Sequence, residues 1–102
     1  KQLMNKKKIR KTIHLKKYHM VIAMLRELRE QKQLTQTGLA DKIGSDQTFI
    51  SKIEIGERRL DIIELKYICE ALEIGLVEFI KQVELKIKNK KKKLARKIKG
   101  IF

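Results

Sequence analysis

Residues 35–54 read TQTGLADKIGSDQTFISKIE, and this stretch constrains the fold of the chain more than any other. Two apolar stripes at helical spacing, Leu39, Ala40 and Ile43 and then Phe49, Ile50 and Ile53, are separated only by Gly44, Ser45 and Asp46. Thr35 has the hydroxyl to cap the first helix, and Gly44 suits a left-handed residue at its end. Asp46 can cap the second helix, which runs to about Glu54. So short a link requires the two helices to cross steeply rather than lie antiparallel, with Ala40 small enough to sit at the crossing. The outer face of the second helix carries Gln47, Thr48, Ser51 and Lys52, where an ordinary surface helix would carry Glu and Lys. Amide, hydroxyl and ammonium groups suit base edges and phosphates. They also suit a solvated surface helix, so the surroundings must decide.

Those surroundings are helical. The chain of 102 residues has no proline, few glycines and no convincing period-two alternation, and its 42% hydrophobic content supplies one small core. Val21, Met24, Leu25 and Leu28 form the stripe of a first helix, from about Lys17 to Gln31, backed by Arg26, Glu27, Arg29 and Glu30. After the charged loop ERRLD, Asp61 can cap a fourth helix whose inner face is Ile62, Leu65, Ile68, Cys69 and Leu72. Gly56 ends the third helix in the manner of Gly44. Beyond Gly75 a fifth helix forms through Leu76, Phe79, Ile80 and Val83. Leu94, Ile98 and Ile101 continue a loose three-four spacing that allows it to extend, although the lysines at 90–93 interrupt the stripe. Leu76, Phe79, Ile80, Val83 and Ile87 are too many apolar groups for one side of a small domain to cover. They are therefore expected to be an exposed set, and the dimer surface is expected on this fifth helix or the segment beyond it.

Charge divides the chain into three parts: a basic flank at 1–16, a domain at 17–85 and a basic C-terminal extension at 86–102 that continues the helical spacing. The net charge is +14, with +8 over residues 1–19, −2 over 20–83 and +8 over 84–102. Two strongly basic flanks around a near-neutral centre imply a polyanionic partner, nucleic acid ahead of an anionic membrane. Lysine-rich tails that merely aid solubility have the same composition.

Other chemistry finds little support. Cys69 stands alone, which excludes an internal disulfide and fits a reducing compartment, and its place on an inner face reads as core. His14 and His19 have no legible acid partner, and one Cys with two separated His makes no zinc site. The five glycines are isolated, so no phosphate-cradling loop occurs. No catalytic residue, metal or cofactor is expected. The longest apolar run, Met20 to Leu25, is far short of the roughly 20 residues that span a bilayer. The lysine-rich start has no apolar segment of signal-peptide length behind it. A cytoplasmic protein is the simplest account.

Taken together, LTQ, LA.KIG, Q.FISKIE.GERR and EL..ICEALEI within residues 25–74 resemble the Xre or Cro-repressor type of helix-turn-helix protein. The resemblance implies an all-α, compact five-helix, lambda-repressor-like DNA-binding domain, bacterial or phage-encoded and nucleoid-associated. It implies that Gln47 and Thr48 read bases in the major groove, with Ser51 and Lys52 reaching bases or nearby backbone. Gln36 would bond a phosphate and brace the start of the reading helix, Arg58 and Arg59 would hold phosphates, and Arg29 and Glu54 would form a buried ion pair. Three departures stand out. Gly38 lies inside helix two, at a cost of about 1 kcal/mol relative to alanine. Ser45 replaces a common apolar turn residue, and Leu60-Asp61 stands where Pro-Ser is usual.

Two function classes follow. The first is a sequence-specific regulator that binds double-stranded DNA, expected as a homodimer on half-sites about 34 Å apart. The second is a protein-interaction module, such as an antitoxin-like partner or an assembly adaptor. The flanks also allow attachment to RNA or an anionic membrane.

Overall fold

The computed structural model describes the backbone of residues 15–101 and the side chains of residues 15–97. The N-terminal flank up to residue 14, with His14, and the side chains of Ile98 and Ile101 lie outside these residues. Five helices and no strand occur among the described residues: α1 (Lys16–Gln31), α2 (Gln36–Lys42), α3 (Gln47–Glu54), α4 (Ile62–Ala71) and α5 (Leu76–Ile101).

Local chemistry places the boundaries. The Thr35 hydroxyl accepts from the Gly38 amide at 2.9 Å, and the Asp46 carboxylate accepts from the Phe49 amide at 2.9 Å. Asp61 and Glu64 form a reciprocal capping box at the start of α4. Gly38 serves the cap as well as lowering helix propensity, since a Cβ there would meet the Thr35 hydroxyl at 3.2 Å. The first four helices all end alike. In each, one residue takes a positive φ and the next amide bonds back to a carbonyl in the last turn, which defines a Schellman motif. Gly44 and Gly56 fill that position after α2 and α3, as expected from their type. After α1 and α4 it is filled by Gln33 (φ 58°) and Glu73 (φ 62°), side chains that carry no sequence signal for this conformation. Gly75 instead precedes α5, and its carbonyl accepts the Phe79 amide at 2.9 Å.

One core joins all five helices. It is built on Ile22, Leu25, Leu39, Ala40, Ile50, Ile53, Leu65, Ile68, Cys69, Leu72, Phe79 and Val83. Ala40 is fully buried, and the Ser45 amide bonds its carbonyl at 2.9 Å, so the turn folds back over the crossing of α2 and α3. Three expectations need correction. Ile22 enters the core, while Val21 and Leu28 are only half-buried, because the inward stripe of α1 runs through Ile22, Leu25 and Arg29. Ile62 is exposed, since as the first residue of α4 it lies beyond the edge of the core.

The expected exposed set on the fifth helix does not exist as such. Phe79 is completely buried and Val83 nearly so, while Leu76 and Ile87 are half-buried against the core. Of the five, only Ile80 remains exposed. The first turns of α5 supply a wall of the core, and α1 and α4 pack on it. Among the described residues, the exposed large apolar groups are instead Ile62, Ile63 and Tyr67 on α4 and Val77, Ile80, Leu85 and Leu94 on α5, along with Leu15 and Ile55. α5 runs without a break through the junction at residues 85 and 86 and past the lysines at 90–93.

Candidate nucleic-acid interface

The tip of α3 is open, and its base is tied down. Gln47 and Thr48 in its first turn are exposed, as is Lys52 one turn later, and Ser51 is half-exposed. Ile50 and Ile53 anchor the opposite face with almost no exposure. These side chains therefore share a rigid support, and the polar groups of the outer face stand in fixed relation to one another.

A chain of hydrogen bonds runs from the core to that tip. Arg29 Nε donates to Glu54 Oε2 at 2.6 Å and Arg29 Nη2 donates to Glu54 Oε1 at 3.0 Å, joining α1 to α3 in a bidentate pair. Both side chains are nearly excluded from water, and the third direction of the guanidinium is taken by the Leu34 carbonyl at 2.7 Å. The hydrogen bonds to Glu54 outweigh the opposing effect of burial and raise the Arg29 pKa further, so the guanidinium keeps its charge in this site. Glu54 Oε1 also accepts from Gln36 Nε2 at 2.9 Å, and Gln36 Oε1 accepts from Gln47 Nε2 at 2.7 Å. Because a carboxylate only accepts, it turns the Gln36 amide so that its oxygen faces Gln47. Among the described residues Gln47 has no partner for its own oxygen or its second N–H, which leaves one acceptor and one donor.

The loop after α3 is braced in a way the sequence did not announce. The Tyr18 hydroxyl accepts from the Leu60 amide at 2.9 Å and donates to the Arg58 carbonyl at 3.2 Å, pinning the loop to the start of α1. Arg58 grips Glu64 with both terminal nitrogens, at 3.0 and 2.9 Å, and stacks 4.6 Å above the Phe49 ring. The hydrogen bonds to Glu64 raise its pKa. Arg58 is thus engaged within the protein, whereas Arg59 is exposed with no side-chain partner among the described residues. Tyr18 carried no signal, because its partners are backbone groups about 40 residues away. Glu64 did carry one, the capping-box spacing from Asp61.

No group of three or more His, Cys, Asp or Glu among the described residues could hold a metal ion. Cys69 is fully buried, and burial, then Glu70, pushes its thiol up to about 11. At neutral pH it is a small apolar core group rather than a nucleophile. No helix among the described residues is long and apolar enough to cross a membrane.

A short helix with amides and hydroxyls facing solvent, crossed by a second short helix whose first side chain is bonded to its tip, defines a helix-turn-helix protein. The helix-turn-helix family model matches residues 25–79, and the chain belongs to that family, of the Xre type. Control protein C.MunI from Mycoplasma sp is 36% identical over 61 residues, 59% of this chain and 82% of that protein. The restriction-modification controller protein C.Esp1396I, solved as a tetramer with its natural 35 base-pair operator, superposes with a TM-score of 0.67 at 32% identity. That match covers 72% of this chain and 97% of the controller. An XRE-family like protein from Pseudomonas syringae pv. tomato str. DC3000 superposes with a TM-score of 0.68 at 35% identity, covering 76% of this chain and 94% of its own.

Proposed function

We propose that this protein is a sequence-specific, double-stranded DNA-binding transcriptional regulator that reads the major groove with α3. The observation that carries the reading is the bond from Gln36 to an exposed Gln47, backed by Glu54 and Arg29. It holds the reading amide in one orientation before DNA arrives. The free oxygen and N–H of Gln47 match adenine N6 and N7, while Thr48 can offer its hydroxyl or pack its methyl on thymine. Ser51 and Lys52 reach bases or backbone one turn further on. Gln36 retains one amide proton for a phosphate, and Arg59 faces the backbone on a loop whose shape Arg58 maintains through Glu64. These phosphate contacts set register rather than sequence.

One short helix reads only a few base pairs, so the regulator acts as a homodimer on a symmetric operator. Exposed Ile63 and Tyr67 on α4 and Val77 and Ile80 on α5 supply an apolar surface for a second copy. The operator-bound tetramer of C.Esp1396I supports both the ligand and the assembly. The role is regulatory and non-catalytic, and it is exerted on nucleoid DNA in the cytoplasm.

Selection of bound sequences from a random duplex pool tests this reading. The expected result is one enriched site with two half-sites about 34 Å apart. Binding without enrichment, weakening uniformly with salt, would overturn it in favour of a protein-interaction module.

A further inference from the structure

α5 continues to Ile101, well beyond the end of the family match at residue 79. The operator-bound controller is matched over nearly its whole length, yet more than a quarter of this chain has no counterpart in it. Between residues 86 and 97, α5 carries eight bases and no acid. Lys86 bonds Glu27 of α1 at 3.1 Å; the others have no ion-pair partner among the described residues. Like charges one turn apart on a helix repel, so the extension is under electrostatic stress that a row of anions would relieve.

The extension does not lie remote from the reading domain. Lys86 meets Glu27, and further along α5 Lys90, Lys93 and Arg96 share a groove with Met20 and the start of α1, so the two helices run antiparallel. Met20, Ile87 and the largely exposed Leu94 are the apolar part of the groove lining, and Lys16 and Lys17 line it from the α1 side. Tyr18 then fastens this end of α1 to the loop that carries Arg59. A basic surface therefore extends from the loop behind α3, over the start of α1, to the far half of α5.

We infer that the α1–α5 groove and the lysines around it form a second DNA site, which holds the phosphate backbone outside the base-reading contact. The inference rests on the DNA-binding reading of α3. Residues 90–93 follow one another at about 100° per residue, so Lys90 and Lys93 line the groove while their neighbours carry the positive surface around the helix beyond it. That distribution suits the diffuse, closely spaced charge of a duplex. A membrane-surface helix needs a continuous apolar face, and the four lysines at 90–93 interrupt the one this helix would offer. The near-neutral centre has no attractive field of its own, so the arm supplies encounter and affinity while α3 supplies choice.

The test uses the full chain with Lys90, Lys91, Lys92 and Lys93 all changed to Gln, which has a similar helix propensity. A second variant changes the same four to Arg and keeps the charge. Each lysine engaged contributes about −0.9 to the slope of log affinity against log salt. The Gln variant should flatten that slope by at least two units, shorten the hydroxyl-radical footprint and leave the ranking of sites unchanged. The Arg variant should retain the original slope and footprint. Circular dichroism separates loss of the arm's charge from loss of the fold. An unchanged slope and footprint in a folded Gln variant overturns the inference, as does a loss of affinity confined to single-stranded RNA or to anionic vesicles. If the unaltered chain ranks no sites at all, the reading assigned to α3 fails, while the slope difference between the two variants still reports on the arm.

Discussion

Opposite charges nearly balance in the α1–α4 region, and several are paired directly, whereas on the far half of α5 one sign dominates. Around the reading helix, Arg29 is held by Glu54 and Arg58 by Glu64, while Arg26 meets Glu30, Lys32 meets Glu73 and Lys66 meets Glu70 at the periphery. Between residues 86 and 97, eight bases face one pairing carboxylate among the described residues, Glu27. Where opposite charges are fixed together, their long-range fields cancel and their directional hydrogen bonds remain. Where charge of one sign accumulates, the field remains. Reading a base edge needs direction, and capturing a polyanion needs field, so the two tasks favour different parts of the chain.

Removing the matching charge from the centre should have the largest effect. Glu54→Gln leaves a buried Arg29 without its counter-charge and should lower stability by about 3–5 kcal/mol. Urea denaturation measures the loss, and a variant with the wild-type midpoint would show that the pair does not support the α1–α3 junction. Next in size, Gln47→Ala should weaken binding to the preferred site by about 1–3 kcal/mol and relax preference at one or two base pairs. Competition titrations against single-base variants of the site read this directly. Equal losses on every sequence would move Gln47 from the reading set to the phosphate set. The smallest change tests the joint between the regions. Tyr18→Phe removes the acceptor for the Leu60 amide and the donor to Arg58, at a cost of about 1 kcal/mol. It should also loosen the loop relative to the α1–α5 groove, and amide exchange at Leu60 should accelerate. Protected exchange at Leu60 would mean that the loop holds its shape without α1.

Much of this architecture could be read from short spans of sequence. Thr35, Asp46 and Asp61 cap the helices that follow them, and Gly44 and Gly56 end the helices before them, because a cap and a left-handed turn involve residues within five positions of one another. The polar outer face of α3 was legible for the same reason: helical period alone sorts Gln47, Thr48 and Lys52 from Ile50 and Ile53. The Gln36–Gln47 bond and the Arg29–Glu54 pair, in contrast, connect different helices, and the resemblance rather than any local rule singled out those residues.

The least legible features depend on what packs against what. Periodicity marked Phe79 and Val83 as apolar but could not decide whether α5 presents them to its own core or to a second copy. The structure seats them beneath α1 and α4. Periodicity likewise could not choose Ile22 over Val21, which differ by one step around the helix. Arg58 looked as free as Arg59 until Glu64 and Phe49 closed around it. By itself, then, the sequence determined the helices, most of their ends and the uneven distribution of charge, all consequences of backbone and side-chain chemistry acting over a few residues. The tertiary structure alone decided which apolar face is covered, which cation is already paired and which tyrosine joins the arm to the reader, because those outcomes depend on contacts between residues distant along the chain.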